Sequence, residues 1–198
     1  MPSLIKEADT LSFWRFSVEQ YHQMIQTGIL DDDTPVELLN GWLISKMSQG
    51  PYHRAVLRQL RDALEPLVQT TPGTWYVETQ CPVTLTDSEP EPDIAVIRGT
   101  NLDYLHQHPQ ASDLALVVEI SDSSLRRDQG LKQRIYAQAG IPTYWIVNLA
   151  ARRLERHTNP QLEVSSYADI TVYTAEQRVP VVINSEVIGE LALSTLFP

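Results

Sequence analysis

The chain has 198 residues, 42% of them hydrophobic and 20% charged, a net charge of −10 and a pI near 4.9. That length supports one domain with its own core, and the balance excludes wholesale disorder. The acidic total argues against a protein that coats nucleic acid by bulk charge, and a single cysteine, Cys81, excludes an internal disulfide and a cysteine-based zinc site.

No apolar run approaches the roughly 20 residues of a membrane helix. The opening MPSLIKEADT lacks the apolar segment of a secretory signal. A cytoplasmic protein with no membrane partner is expected. No linker or repeat divides the chain, so residues 1–198 read as one domain, with 1–16 a loosely ordered N-terminal extension.

Ser17-Val18-Glu19-Gln20 has the form of a capping box, and the helix it starts should end near Gly28. Asp31-Asp32-Asp33 lacks the rest of a calcium loop and reads as a solvated turn. Val36–Leu39 and Trp42–Ser45 flank Asn40-Gly41, a strong hairpin signal. Tyr52–Gln69 is helical: Val56, Leu57, Leu60, Leu64, Leu67 and Val68 share one face, and Arg54, Arg58 and Arg61 another. Trp75–Leu85 reads as a strand, an edge or bulged one because it contains Pro82.

Glu89-Pro90-Glu91-Pro92 is stiff and extended. The strand Asp93–Ile97 follows and stops at Gly99. Residues 100–112 are polar and loop-like, and His106 and His108 among them lack companions at ligand spacing. Leu114–Ile120 is apolar except for Glu119, so it should lie centrally in a sheet covered on both faces. A helix capped by Ser121–Ser124 should run through Leu131, Ile135, Tyr136 and Ala139 to Gly140. Tyr144–Leu149 and Leu154–His157 read as strands about a turn at Ala150-Ala151. Thr171–Tyr173 and Val179–Ile183 give weaker strand signals. Trp42, Tyr144 and Trp145 read as core aromatics. The class is α/β or α+β, one mixed sheet with a few helices.

Two carboxylates stand out. Glu119 ends an otherwise apolar strand, where an unpaired charge costs several kcal/mol. Asp93 opens the preceding strand. If the two strands are antiparallel neighbours, Asp93 and Glu119 meet, and like charges so placed call for a cation between them. Hard oxygen donors favour magnesium or manganese over zinc. The competing structural role for each acid is a helix cap or an arginine partner.

Pro92-Asp93 followed by Glu119-Ile120-Ser121 resembles the core of the PD-(D/E)XK nuclease superfamily. More closely, the chain resembles the Uma family of restriction endonucleases. The segments that carry the resemblance are VELLNGWLISKMS, PYHRAVLRQL, EPDIAV, LVVEISDSS, Asp128…Lys132…Tyr136, GIPTYWIV and LALSTLF. It covers nearly the whole chain from about Ser17.

The resemblance implies a restriction-endonuclease-like fold: a mixed core sheet flanked by helices, with an added N-terminal hairpin and C-terminal strands. It also implies magnesium- or manganese-dependent hydrolysis of DNA phosphodiesters. Asp93, Glu119 and the backbone carbonyl of Ile120 would hold the metal, with Glu37 as an additional ligand. The superfamily places a lysine two residues after the glutamate, where this chain has Ser121. Lys132, on the following helix, is the candidate replacement. Asp128, four residues before it, would pair with it. His53 falls in a matching motif, although it could instead cap its helix or face solvent. Glu37 could instead pair with Lys46 across the hairpin.

Residues 111–160 hold seven Lys/Arg against five Asp/Glu, the only net-positive stretch of the sequence. Arg126, Arg127 and Arg134 lie in it and are the expected DNA contacts, with Arg54, Arg58 and Arg61 as further candidates. A homodimer would suit cutting both strands of a duplex. The competing functions are a nuclease-like fold retained as a non-catalytic binding or assembly module, favoured by Ser121, and a hydrolase of another phosphodiester.

Overall fold

The computed structural model describes residues 12–31 and 33–197. Most of the expected N-terminal extension, residues 1–11, and the middle residue of the 31–33 turn lie outside the described residues. Residues 13–16 run beside the hairpin that follows. The Phe16 amide donates to the Gly41 carbonyl at 2.8 Å, and the Phe13 ring meets Trp42 edge-on.

Helix α1 (Val18–Gln26) begins at the expected capping box. Ser17 Oγ accepts from the Gln20 amide at 3.1 Å, and Gln20 Oε1 accepts from the Ser17 amide at 3.0 Å. The hairpin of β1 (Val36–Leu39) and β2 (Trp42–Ser45) turns on Asn40 and Gly41, both at positive φ. Gly41 is needed for space as well, since a Cβ there would lie 2.7 Å from Arg15 Cβ. Helix α2 (Pro51–Gln69) buries His53, Val56, Leu57, Leu60, Leu64 and Val68 and exposes Arg54, Arg58 and Arg61.

Strand β3 (Trp75–Thr79) is shorter than the sequence pattern implies. The chain leaves the sheet at Gln80, which takes a left-handed φ of 53°, so Pro82 lies outside any strand. A proline without an N–H could not have continued the ladder. Strand β4 (Ile94–Arg98) follows, with Asp93 as the residue just before it. The stretch read as loop between β4 and β5 contains two 3₁₀ turns, Asn101–Tyr104 and Ala111–Asp113.

All eight residues of β5 (Leu114–Ser121) are buried. The chain then runs through α3 (Leu125–Arg127), a π-turn at Asp128–Lys132 and α4 (Gln133–Gln138). The one helix expected here is thus interrupted by a widened turn, a feature often found at functional sites. Strands β6 (Thr143–Asn148), β7 (Arg153–Gln161) and β8 (Ser166–Thr174) complete a six-stranded sheet of order β3-β4-β5-β6-β7-β8. Only β5 and β6 are parallel; the other neighbours are antiparallel. This is the expected mixed α+β sheet. The sequence understates β8 and misses the second strand of the terminal hairpin, β9 (Arg178–Ile183) and β10 (Glu186–Ala192).

Apolar cores cover both faces. On one face, α2 and β9–β10 pack over Ile94, Val96, Leu116, Val118 and Trp145. On the other, α4 packs over Ala95, Val117, Tyr144 and Ile146. Tyr144 and Trp145 are fully buried, as expected of core aromatics. Among the described residues no helix is long and apolar enough to cross a membrane.

Candidate functional site

The site forms where β4 begins and β5 ends. The antiparallel register sets Ile94 opposite Val118, so Asp93 and Glu119 come opposite each other on the face covered by α4. Both are buried, at 6% and 5% exposure. Asp93 is held from three sides. Its Oδ2 accepts from the Ile120 amide at 2.7 Å and contacts His53 Nε2 at 3.1 Å, and its Oδ1 accepts from Gln49 Nε2 at 3.2 Å. His53 therefore neither caps its helix nor faces solvent. A carboxylate acceptor places a proton on Nε2. The other ring nitrogen, Nδ1, is buried and has no hydrogen-bond partner among the described residues.

Glu119 Oε1 accepts from Lys132 Nζ at 2.9 Å and from the Tyr136 hydroxyl at 2.7 Å. Its second oxygen accepts no hydrogen bond from the described residues, and Glu119 lines the cleft. Lys132 reaches the strand because the crossover brings α4 back over β5. Its ammonium also lies 3.1 Å from Glu37 Oε2, which accepts in addition from the Glu91 amide at 3.2 Å.

Two expected pairs are therefore different. Glu37 pairs with Lys132, and Lys46 pairs with Glu91 at 2.9 Å, because Glu37 points into the cleft rather than across the hairpin. Asp128 does not pair with Lys132. Its Oδ2 takes the hydroxyls of Ser121, at 2.6 Å, and Ser124, and the π-turn spoils the ordinary four-residue alignment.

Burial pushes the Glu119 carboxyl well above the usual range; Lys132 opposes this, and Asp128, Asp93 and Glu37 add to it. Burial works against the Lys132 ammonium, yet Glu119 and Glu37 outweigh it and hold the pKa above that of free lysine. Burial also raises Asp128, against its two serine hydroxyls.

One cleft gathers Glu37, His53, Asp93, Glu119, Ile120, Lys132 and Arg127. Ser121 and Asp128 lie behind it, bonded to each other. Arg127 spans the rim: it donates to the Ser45 carbonyl at 3.0 Å and lies 3.8 Å from Glu37 Oε1. The other arginines expected at DNA are not gathered here. Arg126, Arg134, Arg54, Arg58 and Arg61 are exposed outside the cleft, and Arg61 pairs with Asp62. Sequence reasoning missed Tyr136 and Gln49 as partners of the two acids. The four-residue step from Lys132 to Tyr136 was the available signal for the first; Gln49 had none.

Among the described residues no three His, Cys, Asp or Glu side chains stand in ready ligating geometry. The donor set is instead two opposed carboxylates, Asp93 and Glu119, with an unbonded oxygen on Glu119. That set suits a hard ion that retains several waters and takes one or two carboxylates, as magnesium does.

The family model Uma2, described as "Putative restriction endonuclease", matches residues 18–194. Among solved structures the chain is similar to "a putative nuclease belonging to DUF820" from Anabaena variabilis. The TM-score is 0.64 at 16% identity, over 86% of this chain and 94% of that one. At that identity the likeness shows a shared fold. No curated protein matches the chain.

Proposed function

As the chain belongs to the Uma2 family, we propose that it is a metal-dependent nuclease that hydrolyses DNA phosphodiester bonds. The observation that carries the reading is the opposed pair Asp93–Glu119 with Lys132 Nζ 2.9 Å from Glu119. Magnesium or manganese bound there would polarise the phosphate and lower the pKa of water.

The chain's own residues have distinct tasks. Asp93 and Glu119 would hold the ion. His53, Gln49 and the Ile120 amide fix the Asp93 carboxylate before anything binds. Lys132 supplies the positive charge that Ser121 lacks. Glu37 and Tyr136 keep it in place and keep Glu119 oriented. Such a preset cation stabilises charge that builds on the phosphoryl oxygens. Arg127, which lines the cleft, would meet a backbone phosphate. Two copies of the chain would serve two strands.

Incubation with supercoiled, linear and single-stranded DNA tests the reading, with magnesium, with manganese and with EDTA. Cleavage is expected with either metal and none with EDTA. A protein that binds manganese and cuts no nucleic acid would instead be a non-catalytic module of the same fold.

A further inference from the structure

A second cavity opens at the far end of the same strands, where β4 ends and β5 and β6 begin. It lies on the opposite face of the sheet, beneath the turn of β9–β10. Its volume is about 600 Å³, within the range of sites that hold whole small molecules. The cleft at Asp93 and Glu119 has about 80 Å³ by the same measure.

The chemistry of its wall is unusual for this protein. Arg98 and Arg156 line it, and no Asp or Glu does, in a chain of net charge −10. Neither arginine has an ion-pair partner among the described residues. Arg98 lies with its guanidinium carbon 5.0 Å from the centre of the Trp75 ring, a cation–π contact that uses none of its N–H donors. Arg156 has a buried Nε that donates to no acceptor among the described residues. A buried donor without an acceptor is costly unless something supplies one. Thr143, Thr158 and Ser112 add hydroxyl donors to the same wall. The register accounts for the grouping. Arg98 follows Ile94 and Val96 on one face, Arg156 follows Leu154, and β7 sets Thr158 opposite Thr143.

We propose that this cavity binds a phosphorylated small molecule of about nucleoside diphosphate size, with Arg98 and Arg156 as its phosphate contacts. A guanidinium offers two parallel donors to two phosphate oxygens, and two guanidiniums without carboxylate partners can serve a diphosphate. The same phosphate chemistry could be presented by a nucleic-acid backbone, so the test must separate the two sources. The inference does not rest on the nuclease reading, since it uses none of the residues of that site.

The test is calorimetric titration of the full chain with inorganic pyrophosphate, ADP, adenosine and a short DNA duplex, without divalent metal. Pyrophosphate and ADP are expected to bind one per chain, and adenosine not at all. Arg98→Gln and Arg156→Gln should each weaken ADP binding about tenfold, and the double variant about a hundredfold, the loss expected of charge-assisted hydrogen bonds. Ser112→Glu puts a carboxylate at the exposed rim without touching either arginine, and should also weaken ADP with an unchanged melting curve. Asp93→Asn should leave ADP binding unaltered. Duplex binding with the same arginine dependence, and no ADP binding, would assign the phosphate to a backbone and overturn the small-molecule ligand. No binding by any phosphate probe, or binding that survives the double variant and Ser112→Glu, overturns the site altogether.

Discussion

Strand β4 connects two regions of opposite character. At its start, five carboxylates and three cations line a narrow cleft; at its last residue a wide cavity opens, lined among the described residues by two arginines and no carboxylate. Asp93 and Arg98 are about 17 Å apart along an extended strand. In the first region the unmatched charge is negative and the space is small, which suits an ion and one phosphate. In the second the unmatched charge is positive and the space admits a whole molecule. Each region is incomplete in the sense opposite to the other. The sheet core between them is apolar and fully packed, so neither charge excess can relax into the other.

The comparison breaks most readily at the acids. Asp93→Asn or Glu119→Gln should reduce cleavage on the order of 10³-fold or more, since several kcal/mol of metal stabilisation is lost. Calorimetric titration with manganese should show the same loss. Both variants should remain folded, because Asp93→Asn removes a charge from a cluster with an excess of its own sign and Glu119→Gln replaces a carboxyl whose charged form burial disfavours. Manganese affinity equal to wild type in both would remove the metal from this cleft.

Lys132 ranks next. Lys132→Met should lower kcat by roughly 10²–10³, the usual effect of one preset electrostatic group. It should also cost stability, because Glu119 and Glu37 lose their shared cation inside the protein; breaking a buried pair costs about 3–5 kcal/mol. Thermal melting measures that part separately. The double variant Ser121→Lys with Lys132→Met tests whether position matters. Ser121 shares a strand face with Glu119 and touches Asp128, whose Oδ1 is buried without a partner. A lysine there would meet an acid already in place, so the double variant should regain about tenfold over Lys132→Met, a fraction of what one such group supplies.

His53 sharpens the picture by acting through Asp93. His53→Ala should reduce cleavage about 10–100-fold and weaken manganese to a similar degree, as loss of a residue that orients a metal ligand does. An unchanged manganese affinity with lower cleavage would mean instead that the ring contacts the substrate.

The sequence made this site legible at the level of pairs. Glu119 was visible because it is the one charge in a buried strand, and Asp93 because strand order put it opposite. Lys132 was visible as a cation near a gap. The partners of these residues were less so. Whether Glu37 turns to Lys46 or Lys132 depends on the rotation of a hairpin against a helix, which no local pattern encodes. Asp128 misled because four-residue spacing assumes an unbroken α-helix, and the π-turn shifts it onto Ser121. The far cavity had no sequence signal. Arg98 and Arg156 are 58 positions apart and line one cavity because β4 and β7 present them on the same face of the sheet, beside the β9–β10 turn. The length of β8 was hidden by its edge position, where exposed residues lose the alternation that marks a half-buried strand.

The smallest effect concerns Glu119 and pH. Its folded pKa is raised, so the metal-free native state binds a proton that the unfolded chain has released. Stability from this group is full below the ordinary glutamate range and is lost as pH rises through the folded value. Lys132 adds no slope there, since its own raised pKa acts only at alkaline pH. Melting of the metal-free protein should therefore fall from pH 4.5 upward more steeply in wild type than in Glu119→Gln. Tyr136→Phe removes the 2.7 Å hydroxyl donor from the same oxygen and should cost about 1 kcal/mol at neutral pH. A donor to the ionised carboxylate favours that form, so its loss should carry the transition to higher pH. Manganese should abolish the slope in both wild type and Tyr136→Phe, because the ion requires the ionised acid. A slope identical in wild type and Glu119→Gln would mean that Glu119 is ionised in the empty cleft, with Lys132 alone sufficient to keep it so.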